Sequence, residues 1–209
     1  MSVKIEWLLV AITLTISGTL LIADEPNAAD QPTAVAVGEF LPAFESTDEQ
    51  GLAWKSADHV GKKVLVLYFY PGDFTSGCIK QAEAYRDALA KIEEQGVELV
   101  GVSGDEAATH KLFKETYDLK HSLLADTKGE LATLVGVPIK AGGRVRAINA
   151  DRKPLHDDSG NPIVFERPTT LTRWTLVIGR DGKVVSLRSI RNPATDFEEV
   201  LKIVAALPK

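Results

Sequence analysis

Val64-Leu65-Val66-Leu67-Tyr68-Phe69-Tyr70-Pro71-Gly72-Asp73-Phe74-Thr75-Ser76-Gly77-Cys78 decides the reading of this chain of 209 residues. From Val64 to Tyr70 every residue is β-branched, aliphatic or aromatic, the pattern of a strand covered on both faces. Pro71 and Gly72 end it, and a short polar loop follows. Ile79, Ala82, Tyr85, Ala88, Leu89 and Ile92 then recur at helical spacing, and Gly96 stops the helix. Cys78 is the one cysteine of the chain, and it falls in the first turn of that helix. Unpaired N–H groups and the positive end of the helix dipole favour thiolate over thiol there. A thiolate at such a place is a nucleophile, whereas a thiol sunk in a core is a small apolar filler. Local sequence leaves both readings open.

Working outward, Val97 to Ser103 reads as a second buried strand. Asp105 is placed to N-cap a helix from about Glu106 to Tyr117. Ser122 to Leu124 is a short strand, and Asp126 begins a brief helix carrying Leu131 and Leu134. Upstream, Phe40 to Phe44 and Leu52 to Trp54 flank the turn-rich Asp48-Glu49-Gln50-Gly51 and predict a hairpin. The stretch from Pro138 to Thr172 is irregular, with Gly142-Gly143 and Asp157-Asp158-Ser159-Gly160-Asn161-Pro162, and predicts one or two surface hairpins. Arg173 to Ile178 and Lys183 to Arg188 are strands joined through Asp181-Gly182, a strong hairpin signal. Asn192-Pro193 opens a last helix to about Ala206, with Phe197, Val200, Leu201 and Val204 on one face. Alternating strands and helices followed by a hairpin and a helix imply an α/β fold, a mixed sheet with helices on both faces.

The formal charge of −5 and the lack of a basic stripe argue against nucleic acid as a partner. His59, His110, His121 and His156 lack metal-ligand spacing, so no metal is expected. Asp157 to Asn161 resembles a fragment of a calcium loop but lacks its later bidentate glutamate, and reads as a turn. Trp7 to Ala23 is uncharged, with Lys4 before it and Asp24-Glu25 after it. Residues 1–23 therefore read as a signal peptide, with an uncleaved anchor as the alternative. Residues 24–36 read as a linker and 37–209 as the folded domain. Export to a periplasmic or extracellular setting is the expected address, and a lone cysteine in an exported chain is a free thiol.

Tyr70-Pro71-Gly72-Asp73-Phe74-Thr75-Ser76-Gly77-Cys78 resembles the peroxiredoxin signature Pro-x-x-x-Thr-x-x-Cys, and is closest to the bacterioferritin-comigratory, or Q-type, branch. Tyr85-Arg86-Asp87, Gly101-Val102-Ser103-x-Asp105, Leu123-Leu124-Ala125-Asp126 and Arg173-Trp174-Thr175-Leu176-Val177-Ile178 extend the likeness over about Val37 to Lys209, with Pro138 to Thr172 matching poorly. The resemblance implies a thioredoxin-like fold with an N-terminal hairpin extension, and thiol-dependent reduction of hydrogen peroxide and small organic hydroperoxides. It implies that Cys78 is the peroxidatic cysteine, that Thr75 hydrogen-bonds the sulfur and peroxide, that Pro71 shields the sulfur, and that Arg173 reaches it from a neighbouring strand.

An arginine makes physical sense in that role. One pKa unit corresponds to about 1.36 kcal/mol, and a helix N-terminus supplies only about 0.3–1 kcal/mol. Strong activation of a thiol therefore also needs a fixed cation and hydrogen-bond donors. From local sequence alone, Thr75 also reads as a helix cap, Pro71 as loop punctuation and Arg173 as a solvated edge charge.

Many Q-type members carry a resolving cysteine five residues after the first, where this chain has Glu83. A one-cysteine mechanism follows, with the sulfenic acid resolved by an external thiol, either a thioredoxin-like protein or a small thiol. Gln81 stands where an acid is common, which leaves its role open. No cofactor is implied, and the expected state is a monomer or weak homodimer. A catalytically silent redox-sensing or binding module is the alternative.

Overall fold

The computed structural model describes residues 34–208. The expected signal peptide, and the expected linker up to residue 33, lie outside them. In chain order the elements are β1 (Glu45–Asp48), β2 (Ala53–Lys55), β3 (Val64–Phe69), α1 (Ser76–Glu94), β4 (Val97–Ser103), α2 (Ala107–Tyr117), β5 (Ser122–Ala125), α3 (Glu130–Leu134), β6 (Ile139–Arg146), β7 (Val164–Leu171), β8 (Trp174–Ile178), β9 (Val184–Ser189) and α4 (Asp196–Ala205). Seven strands form one sheet in the order β2-β1-β5-β4-β3-β8-β9, and β6 and β7 form a separate ribbon.

β3 lies inside the sheet, and no residue of it is more than 1% exposed. Its side chains alternate between two apolar clusters. Val64, Val66 and Tyr68 pack with Tyr85, Ala88 and Ile92 of α1 and Val200 and Val204 of α4. Leu65, Leu67 and Phe69 pack on the other side with Leu131 and Ala132 of α3 and with Trp54. The continuous apolar run is thus required by burial on both faces. β3 is parallel to β4 and antiparallel to β8, so the sheet is mixed as expected.

The N-terminal hairpin forms, with its first strand starting at Glu45 rather than Phe40. Phe40 instead bridges to Lys183, and the Leu41 N–H donates to the Gly182 carbonyl at 3.0 Å. The incoming chain is thereby pinned to the turn before β9. Val35 already packs in the core.

Asp105 does not cap α2. The helix starts at Ala107 with Glu106 in the cap position, and no side chain caps it. The Asp105 carboxylate is turned inward, where it accepts from the Asp73 N–H at 2.8 Å and the Ser103 hydroxyl at 2.6 Å. The 138–172 stretch resolves into the long β6–β7 ribbon, with bridges Ile148↔Pro154 and His156↔Pro162 in its connecting segment. Asp157 makes the expected turn, accepting from the Ser159 and Asn161 N–H groups. Asn192 caps a short 3-10 turn, Pro193–Thr195, that leads into α4.

Candidate active site

Parallel β3 and β4 deliver their C-terminal ends to one edge of the sheet, where loops leave for α1 and α2. Because β8 runs antiparallel to β3 in the register Phe69↔Trp174, its first residues arrive at the same edge. Arg173, just before β8, is thereby carried to Cys78 across a long gap in sequence. Its Nη2 donates to Cys78 Sγ at 3.2 Å. Cys78 is 1% exposed, beneath the partly exposed Pro71, Thr75, Gly77 and Arg173.

The other fork of Arg173 donates through Nη1 to Gln81 Oε1. Gln81 is fully buried one turn along α1, and its Nε2 donates to Asp196 Oδ2 at 2.9 Å. Asp196 is also buried, and accepts from Tyr85 and Thr175 at 2.7 Å each and from Arg188 at 2.6 Å. The Gln81 amide has only one workable orientation, oxygen to the arginine and nitrogen to the carboxylate. A chain of hydrogen bonds therefore runs from the start of α4 through α1 to the cysteine. Burial, and then the Asp196 charge, hold the Tyr85 phenol well above its ordinary 10, so it acts as a donor.

Thr75 occupies the N-cap position of α1 but makes no side-chain cap bond. Its hydroxyl donates to the Gly72 carbonyl at 3.0 Å, bracing the loop. Pro71 is half-buried at the rim. Behind the loop lies a second polar cluster. Tyr70 donates to Asp73 at 2.8 Å, and His110 Nδ1 lies 2.8 Å from the same carboxylate. His110 Nε2 faces the Leu124 carbonyl at 3.1 Å. An acceptor at each ring nitrogen favours the protonated ring of His110. Burial opposes that charge, but the Asp73 carboxylate, joined by the Asp105 charge and the Leu124 carbonyl, holds His110 above its ordinary 6.5. Arg167 of β7 closes the cluster by pairing with Asp105 at 3.1 Å. Burial, and then the Asp73 charge, raise the Asp105 carboxyl above 3.8, partly offset by Ser103 and Arg167.

A buried sulfur held by a fixed arginine at the mouth of a strand–loop–helix turn is the arrangement the signature implies. Across residues 37–187 the sequence matches the AhpC/TSA family. The chain belongs to the AhpC/TSA family.

Among curated relatives of this AhpC/TSA protein, chloroplastic peroxiredoxin Q of Suaeda salsa is 42% identical over 104 residues, 50% of this chain and 48% of the relative. The Oryza sativa subsp. japonica peroxiredoxin Q is 43% identical over the same shares. The chain thus spans about half the length of the curated relatives it matches. Peroxidoxin BcpB from Mycobacterium tuberculosis superposes with a TM-score of 0.65 at 24% identity, covering 84% of this chain and 99% of that one. Plasmodium vivax 2-Cys peroxiredoxin superposes at 0.61 and 27% identity, covering 81% and 94%. The fold is the thioredoxin-like fold of the peroxiredoxins, with a mixed sheet flanked by helices.

Of the four residues singled out from sequence, Cys78 and Arg173 are in direct contact, and Thr75 and Pro71 form the loop beside them. Sequence reasoning marked Gln81 only as a departure, weighed His110 only as a metal ligand and set it aside, and overlooked Asp196 and Arg167. Asp196 reads locally as an ordinary acid in the first turn of a helix. Among the described residues, no group of three or more His, Cys, Asp or Glu side chains is arranged to hold a metal.

Proposed function

We propose that this AhpC/TSA protein is a thiol-dependent peroxidase that reduces hydrogen peroxide and small organic hydroperoxides through Cys78 alone. The observation that carries the reading is the 3.2 Å contact from Arg173 Nη2 to Cys78 Sγ, made to a sulfur that is itself 1% exposed. The sulfur attacks one peroxide oxygen along the O–O axis. An S–O bond forms, the O–O bond breaks, and the distal oxygen leaves as hydroxide or alkoxide that takes up a proton. The Arg173 fork stabilises charge as it moves from sulfur to the departing oxygen, where a preorganised donor is most effective. Thr75 and Pro71 hold the loop that forms the peroxide side of the pocket.

The product is Cys78 sulfenic acid. Glu83 occupies the place of a resolving cysteine, and the chain has no second cysteine, so the reducing thiols come from outside. We infer export from the uncharged stretch Trp7 to Ala23, and a monomeric or weakly dimeric state. Purified protein supplied with dithiothreitol is expected to consume peroxide, and Cys78→Ser to consume none above background. Equal rates for the two proteins would favour the silent-module reading instead.

A further inference from the structure

Cys78 sulfenic acid must be reached by its reductant, and the sulfur is 1% exposed. Thiol exchange needs the attacking sulfur close to the one attacked. A cysteine on the surface of a folded protein meets that condition only if Cys78 swings outward, which means unwinding the first turn of α1 and displacing the 71–75 loop. The structure ties both to the β6–β7 ribbon.

On the loop side, Arg167 lies across Gly72 so closely that a methyl group there would fall 1.7 Å from its Nη1. The same guanidinium holds Asp105, which holds the Asp73 N–H. Phe165 stacks on Phe74 with ring centroids 5.9 Å apart. Phe74 has a φ of 57°, a left-handed conformation that a bulky residue keeps only while its packing holds it there. On the helix side, Arg152 from the ribbon's connecting segment pairs with Glu83 at 3.0 Å. Ile79 and Ala82, flanking the cysteine turn, share an apolar cluster with Ala147.

We propose that the β6–β7 ribbon clamps Cys78 in the first turn of α1 through the whole cycle, so that its sulfenic acid is recycled by a small-molecule thiol that passes the partly exposed rim of Pro71, Thr75 and Arg173 and not by the cysteine of a protein dithiol. The proposal rests on the peroxidase reading above. In the first step a small thiol attacks Cys78 sulfur; an S–S bond forms, the S–O bond breaks, and the hydroxyl leaves as water with the thiol proton. A second small thiolate attacks the outer sulfur of that mixed disulfide, releasing Cys78 thiolate and a small-molecule disulfide. Two thiols thereby supply the two electrons.

The full chain oxidised with one equivalent of hydrogen peroxide, and checked by mass for the sulfenate, is then offered glutathione or reduced thioredoxin at equal thiolate concentration. Recovery with glutathione is expected to be faster by about tenfold or more, the effect of an opening step that costs upwards of one decade in population. Phe165→Ala and, as a milder surface change, Arg152→Ala are expected to narrow that ratio. Thioredoxin matching glutathione on the unmodified chain would overturn the clamp, as would a ratio that neither variant moves. A second arm needs no peroxide: reduced Cys78 is alkylated by iodoacetamide and by a polymer-tethered iodoacetamide, each normalised to a cysteine peptide. The clamp requires the tethered reagent to be disproportionately slow, and equal normalised rates refute it even if the chain proves inert to peroxide.

Discussion

Arg173 meets Cys78 through one nitrogen and Gln81 through the other, so its aim at the sulfur depends on a buried amide that never touches the reacting atoms. Gln81→Leu keeps the approximate volume but removes the acceptor for Arg173 and leaves Asp196 short of one donor. Stopped-flow oxidation of the single thiol is expected to slow by roughly tenfold, the effect of about 1.4 kcal/mol of lost positioning. Arg173→Ala, which removes the cation itself, is expected to cost about a hundredfold or more. A Gln81→Leu protein with the oxidation rate of the parent would show that the amide serves stability only. Cys78, Thr75 and Pro71 were legible in the sequence because the chemistry of a signature is carried by residue type and short spacing, whereas Arg173, 95 residues away, was singled out only through the family resemblance. Asp196 was not, since its partners Gln81, Tyr85, Thr175 and Arg188 come from three other elements.

At the scale of elements, the site depends on how closely the ribbon approaches the sheet edge. Gly104, between β4 and α2, has the Thr169 carbonyl oxygen only 1.9 Å from where a Cβ would stand. Backbone cannot yield as a flexible side chain can, so Gly104→Ala must push β7 away from the edge. A loss of about 1–3 kcal/mol is expected from overpacking, read as a lower urea midpoint, together with faster hydrogen exchange in the 71–78 segment. A midpoint unchanged within error would mean that the ribbon is loosely seated. The helices and central strands were readable from period and caps, because each pattern is local. Asp105 shows where that reasoning stops: its position fits an N-cap, but a tertiary demand for its carboxylate, from Asp73, Ser103 and Arg167, outweighed the cap. The hairpin at Asp48 to Gly51 was legible from its turn residues, while the start of its first strand was decided by Phe40 pairing with Lys183.

For the whole molecule, two buried histidines give stability opposite dependences on pH. His121 is fully buried against Tyr68 and a desolvated site lowers it from 6.5 to about 3. Between those values the unfolded chain holds a proton that the folded chain does not, so stability falls as pH drops below 6.5. The full gap is worth on the order of 5 kcal/mol. His110 has a folded value above 6.5, so its contribution is complete below 6.5 and is lost as pH rises through that folded value. Urea unfolding across pH is expected to show a maximum between these limbs, and His121→Asn to flatten the acid one; an acid limb of unchanged slope would remove His121 as its cause. The sequence by itself determined the order of strands and helices, the single thiol and the loop before it, and the want of a second thiol, because those properties reside in residue identity and local spacing. Only the tertiary structure decided that antiparallel β8 brings Arg173 to Cys78, that Gln81 and Asp196 hold it there, and that the β6–β7 ribbon closes over the loop. Those are contacts between segments far apart in sequence, set by strand register and packing, and no local pattern encodes them.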